Sequence, residues 1–161
     1  MVSEVERAWQ LLAEVPDPEL PTLSVVDLGI ARSVRVDEDG TLVVGITPTY
    51  SGCPALVEIT RDVRARLVAE FDRVEVRTEL APPWSTDWIT EEGHRKLAAT
   101  GIAPPSGRAA LPLTVLGDRP LSCPRCAGVE LEELAAFGST ACKALWRCRS
   151  CREPFDYLKR H

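Results

Sequence analysis

The sequence predicts an α+β chain: a small α/β sandwich in the order helix, strand, strand, helix, strand, helix, then a second, smaller β module. Three observations carry this. Apolar residues recur at helical spacing in two segments. Two alternating apolar runs flank an Asp-Gly turn, and a third follows the second helix. Two Cys-x-x-Cys pairs close the chain, after a stretch rich in Pro and Gly.

Ser3 and Glu6 have capping-box spacing, Val5, Ala8, Trp9 and Leu12 continue a helical stripe, and Pro16 ends it. PDPELPTLSVVDLGI is too proline-rich for a regular element. RSVRV and TLVVGIT read as strands joined through DEDG. Over 54–70, Leu56, Ile59, Val63 and Leu67 share one helix face. Over 73–80, Val74, Val76, Thr78 and Leu80 alternate with charged residues. A third helix is expected with Thr90 as N-cap and Gly101 at C′. The expected domains are therefore 1–102, a linker over 103–120, and a module over 121–161. Trp84 and Trp88 read as a packed cap over the sheet.

The chain has 161 residues and a net charge of −5. Residues 119–161 hold 8 Lys/Arg against 5 Asp/Glu, and residues 1–118 hold 11 against 19. A body this acidic argues against a nucleic-acid partner. The start has no basic region followed by an apolar run, and no stretch is apolar enough to span a membrane, so a cytoplasmic protein is expected. In that reducing setting six cysteines point to metal or redox chemistry rather than disulfides.

CPRC at 123–126 and CRSC at 148–151 leave 21 residues between the inner cysteines. Two such knuckles supply four sulfurs, and a closed four-cysteine set has no open position for water, so Cys123, Cys126, Cys148 and Cys151 are expected to hold a structural Zn2+. A rubredoxin-like iron site uses the same ligands and stays open. VELEELAAF and TACKALWRC then form a hairpin, and EPFDYLKRH adds a third strand: the plan of a zinc ribbon. Cys142 lies in this module and is expected to pack as a small apolar residue.

Cys53 stands apart, in TPTYSGCPALVEI. With Pro54 at N1 of the second helix it falls at the N-cap, where the helix dipole and free amides favour thiolate. A buried structural cysteine is the alternative. Asp17, Glu19 and Asp27 are acidic groups that could meet it, or simple turn formers. Thr47 and Thr49 are polar neighbours in sequence. With only His94 and His161 available, a Cys–His catalytic pair has little support.

DPE at 17–19, DLG at 27–29 and TPTYSGCP at 47–54, at these separations, resemble the iron–sulfur carrier assembly domain, whose bacterial members are SufT-like proteins. The resemblance covers about residues 4–102. With CPRC and FGSTACKALWRCRSCREPFDYLK added, the whole chain is similar to the D-subunit family of bacterial phenylacetyl-CoA epoxidase (ring 1,2-epoxidase) systems. That resemblance implies a non-catalytic accessory protein in phenylacetate breakdown. It would mature the di-iron centre of the oxygenase subunit or the iron–sulfur cluster of the reductase subunit. Cys53 would be its functional thiol, with Asp17 and Glu19 as the acidic motif. A single thiol cannot hold a cluster, so transient iron or Fe–S binding, bridged by a homodimer or completed by a client, is the expectation. A purely structural docking role is the competing reading.

Overall fold

A computed structural model of the chain describes residues 2–105 and 118–160. The chain divides into two compact units, Met1–Trp84 with Trp88–Gly93, and Ser85–Asp87 with His94–His161. Most of the segment expected as a linker, residues 106–117, lies outside the described residues. No helix among the described residues is long and apolar enough to cross a membrane.

In the first unit, α1 (Glu4–Leu12) opens on the expected capping box: the Glu6 amide donates to Ser3 Oγ at 3.1 Å and the Ser3 amide to Glu6 Oε2 at 2.8 Å. Its buried residues are Ala8, Leu11 and Leu12, while Val5 and Trp9 are only half-buried, so the core-facing stripe is rotated from the expected one. β1 (Ala31–Val36) and β2 (Leu42–Ile46) form the antiparallel pair around the Asp37–Gly40 turn. α2 (Leu56–Leu67) crosses over to β3 (Val74–Thr78), which pairs with β2 in parallel, giving sheet order β1-β2-β3. The central strand β2 is paired on both edges and buried along its whole length.

The irregular 13–30 stretch is held by backbone bonds between its turns, such as the Asp17 amide to the Leu23 carbonyl and the Val25 amide to the Val15 carbonyl, and by side chains. Asp27 Oδ2 accepts from the Ser24 amide at 2.8 Å, and Ser24 Oγ accepts from the Asp27 amide at 3.1 Å. The Asp27 carbonyl takes the Thr90 amide at 2.9 Å, and the Leu28 carbonyl takes the Trp84 indole N–H at 2.9 Å. Trp84 is buried, and the Arg32 guanidinium lies 3.6 Å from the Trp88 ring centre, so both tryptophans pack onto this unit. Between these contacts Gly29 has φ +66°, and a Cβ there would sit 2.4 Å from the Trp88 carbonyl oxygen.

α3 (Glu91–Ala99) carries the chain from the first unit into the second. Thr90 Oγ1 accepts from the Gly93 amide at 3.0 Å, the expected N-cap. At the other end the amides of Gly101 and Ile102 return to the carbonyls of Ala98 and Leu97, with Gly101 at φ +75°: a Schellman close. In the second unit β4 (Leu131–Ala135), β5 (Lys143–Cys148) and β6 (Pro154–Leu158) form an antiparallel sheet in that order. Ala103 pairs with the outer edge of β6 through Asp156 and Leu158. Trp146, Phe155, Tyr157, Ala103 and Ala144 form its core together with Cys123 and Cys148. The hairpin plus third strand is the ribbon plan read from the sequence.

Gly29→Ala combines a left-handed backbone with a clash against main chain that cannot swing away. It is expected to destabilise the chain by on the order of 3 kcal/mol, read as a lower urea midpoint at unchanged slope.

Candidate functional site

The two Cys-x-x-Cys segments fold as near-copies of one another. The Cys123 amide donates to the Gly128 carbonyl at 2.8 Å, and the Cys148 amide to the Glu153 carbonyl at 3.1 Å, five residues on in each case. The residue after each second cysteine is left-handed: Ala127 at φ 60° and Arg152 at φ 64°. Backbone amides around these reversals face sulfur. The Arg125 amide donates to Cys123 Sγ at 3.4 Å, the Gly128 amide serves Cys126, and the Cys151 and Ser150 amides serve Cys148. Gly128 is needed for packing as well, since a Cβ there would lie 2.9 Å from Ser150 Oγ and 3.2 Å from Cys148 Sγ.

All four Sγ atoms lie within 4.8 Å of one another, with 3.8 Å between Cys123 and Cys151 and 3.5 Å between Cys126 and Cys148. A tetrahedron of sulfurs at about 2.3 Å from zinc has edges of about 3.8 Å, so the set fits the ion. The thiols strongly perturb one another. The Cys151 amide, helped by Cys126 and the Ser150 amide, pulls Cys148 down to about 6. The Gly128 amide favours the Cys126 thiolate, but Cys148, Cys151, burial and Cys123 outweigh it and push Cys126 up to about 12. Four neighbouring thiolates cannot coexist without a cation, and a divalent metal removes that conflict. Cys142 stands outside the set: it is buried, with its sulfur 3.1 Å from Thr140 Oγ1, in keeping with a packing role.

In the first unit, the expected N-cap position of Cys53 is corrected. The N-cap of α2 is Ala55, without a side-chain hydrogen bond, and Pro54 is not N1. The Cys53 amide donates to the Tyr50 carbonyl at 3.1 Å and the Leu56 amide to the Cys53 carbonyl at 3.2 Å. This extra turn delays the helix by two residues. The expected preference for thiolate is reversed too. Burial pushes the half-buried Cys53 thiol up; the Ala55 amide opposes this, Glu19 adds to it, the Thr49 side chain opposes it, and Asp17 adds to it.

The fold thus brings Asp17, Glu19 and Thr49 into the field of Cys53. Asp17 is also a turn former: its Oδ1 accepts the amides of Glu19 at 2.9 Å and Leu20 at 2.8 Å. Asp27 is tied to the Ser24 turn described above. Thr47 is buried at the end of β2, its amide donating to the Ile30 carbonyl at 2.8 Å. Among the described residues, the four ribbon cysteines are the one group of His, Cys, Asp or Glu side chains close enough to hold a metal ion. Cys53 and the two carboxylates do not make a ready ligand set. The sequence reading missed the Ala55 amide, Gly128 and the two left-handed residues. The Gly two places after Cys126 was the available signal.

Comparison with known proteins agrees with this division. Residues 6–77 match the model of the iron-sulfur cluster assembly protein family, and residues 110–159 match that of the PaaD zinc beta ribbon domain. A protein of Escherichia coli K12, named as the D subunit of a "Putative 1,2-phenylacetyl-CoA epoxidase", is 46% identical over 160 residues, covering 97% of this chain and 93% of that one. The chain belongs to this D-subunit family. An Fe-S protein maturation auxiliary factor of Porphyromonas gingivalis is 36% identical over 94 residues, covering 57% of this chain and 89% of its own length. The crystal structure of a domain of unknown function, DUF59, from Bacillus anthracis superposes with a TM-score of 0.54 at 32% identity, covering 58% of this chain and 90% of that one. The zinc ribbon match and the four-cysteine cluster together assign metal binding, with zinc as the ion, to the second unit.

Two outcomes test the geometry. Ala127→Gly removes the Cβ from a left-handed residue, so the zinc-loaded chain should gain about 1 kcal/mol, read as a higher thermal midpoint and slower zinc loss to a chelator. Because its thiol is raised, Cys53 should alkylate more slowly than an ordinary exposed thiol at pH 8. Glu19→Gln removes a negative charge that disfavours thiolate and should speed that alkylation, followed by peptide mass spectrometry. Equal rates would rule out Glu19 as a neighbour of the thiol.

Proposed function

We propose that the chain is a non-catalytic accessory factor of the phenylacetyl-CoA epoxidase system, which handles iron or an iron–sulfur cluster as cargo for the oxygenase or reductase subunit. The observation that supports this is the Cys53 thiol lying within the electrostatic field of the Glu19 and Asp17 carboxylates, in the segment that matches the iron-sulfur cluster assembly family. The relatives named as Fe-S protein maturation auxiliary factors support the same reading. In this scheme residues 1–102 form the assembly-type domain, and residues 121–161 form a ribbon whose zinc is structural.

The chain's own residues supply three things. Cys53 offers one half-buried sulfur on the loop before α2. The Ala55 amide and the Thr49 side chain receive negative charge when the thiol ionises. Asp17 and Glu19 make that ionisation costly until a cation arrives, and then attract the cation. A cluster wants about four thiolates, so the remaining ligands come from a client, a small thiol or a second copy. The raised Cys53 thiol also fits a packed cysteine, which is the docking reading.

The test is metal content after anaerobic purification and iron–sulfide reconstitution, together with complementation of cells lacking the native protein. Wild type and Cys53→Ala should both hold about one zinc per chain, as a closed site of four cysteines requires. Only wild type should take up further iron and restore epoxidase activity. Full rescue by Cys53→Ala would leave the docking reading in its place.

A further inference from the structure

The four ribbon sulfurs differ in their reach to solvent. Cys148 is 0% and Cys123 2% exposed, and Cys151 is half-buried. Cys126 is exposed, alone in that respect among the six cysteines. Its neighbours Arg125 and Ala127 are exposed as well. Gly128 sets no side chain over the sulfurs, since a Cβ there would lie 3.3 Å from Cys126 Sγ and 3.2 Å from Cys148 Sγ. Cys148 Sγ lies 3.5 Å from Cys126 Sγ, closer than the 3.8 Å between Cys123 and Cys151. A thiol that ligates zinc has given up its proton, so an exposed one is a nucleophile at neutral pH.

We infer that Cys126 is an oxidation site through which hydrogen peroxide, with Cys148 as the resolving thiol, strips the ribbon of its metal. The inference rests on the four-cysteine site and is independent of the cargo role proposed for Cys53. The Cys126 sulfur gives an electron pair to one peroxide oxygen, the O–O bond breaks and hydroxide leaves, which forms the sulfenic acid. The Cys148 thiolate then attacks that sulfur, forms the S–S bond and displaces a second hydroxide. Each hydroxide takes a proton from the buffer. Two thiolates have lost two electrons in all, and peroxide has become two waters. Cys123 and Cys151 remain as ligands, half the set that a closed site uses. Cys123 and Cys148 also belong to the core cluster of Trp146, Phe155 and Tyr157, so the change reaches the fold of the second unit. Cys53 is a poorer target, because it is half-buried and its thiol is raised.

The experiment treats the full-length, zinc-loaded chain with a small excess of hydrogen peroxide. A coloured chelator follows zinc release, and alkylation with peptide mass spectrometry maps the thiols. Zinc should appear in step with a Cys126–Cys148 disulfide, while Cys53 stays open to alkylation. Dithiothreitol with added zinc should restore the zinc content and the thermal midpoint. Cys126→His exchanges the sulfur for a nitrogen that zinc also accepts, and should slow the release about tenfold. Wild-type chain gives a second readout that does not depend on the variant folding: N-ethylmaleimide should label Cys126 before the other ribbon cysteines. Release from Cys126→His at the wild-type rate, first labelling at Cys123, Cys148 or Cys151, or zinc retained after the Cys126 thiol is lost overturns the inference. So does oxidation that begins at Cys53.

Discussion

A thiolate close to other negative charge is unstable unless a cation or backbone amides share its charge, and both units are arranged around that constraint. In the second unit four sulfurs crowd within 4.8 Å, and the amides of Arg125, Gly128, Ser150 and Cys151 face them. Those amides require the two knuckles to reverse sharply, which puts Ala127 and Arg152 in left-handed backbone. The β5 strand ends at Cys148 and its hairpin partner begins at Leu131, so the metal site closes the end of the sheet next to the Trp146–Phe155 pair. The small core and the four-cysteine site thus share Cys123 and Cys148.

The first unit resolves the same constraint differently. Its organising point is the 24–30 turn, where the Ser24–Asp27 exchange, the Leu28 carbonyl and the Asp27 carbonyl gather the chain from three places. That turn hands its order to the site in two directions. Backward, the Asp17 amide is bound to the Leu23 carbonyl, which fixes the acidic loop. Forward, the Ile30 carbonyl holds the Thr47 amide, which fixes the start of the loop leading to Cys53. Thr47 and Asp27 thus support the site from a distance, and Thr49, Asp17 and Glu19 act on the sulfur itself.

What was legible in the sequence was what is local. The Ser3–Glu6 box, the Thr90 cap, the Gly101 close and the paired cysteines are each decided within a few residues, and each formed as read. The α1 stripe rotated because its apolar side is chosen by α2 and β1, which lie far along the chain. The state of Cys53 was misjudged for a related reason. A helix-start argument sees only residues 53–56, whereas burial and the carboxylates of Glu19 and Asp17, over thirty residues earlier, decide the balance. The extra turn over 53–55 is itself a small local effect that the Pro at 54 disguised as a helix start.

The opposite settings of the two thiol sites suit opposite tasks. In the ribbon, four sulfurs converge and amides lower the cost of ionising them, so a bound zinc is met by every ligand it needs and is retained. At Cys53 burial and two carboxylates oppose ionisation, and the sulfur belongs to no group of three or more metal-ligating side chains among the described residues. In the carrier role proposed above, a cation there would displace a proton from a reluctant thiol with little further coordination, so it would be held weakly and pass to a client that supplies a fuller set. For a carrier, weak holding is an advantage, since transfer then runs downhill. A thiol lowered by a helix dipole, as the sequence alone implied, would have made a better trap and a poorer donor.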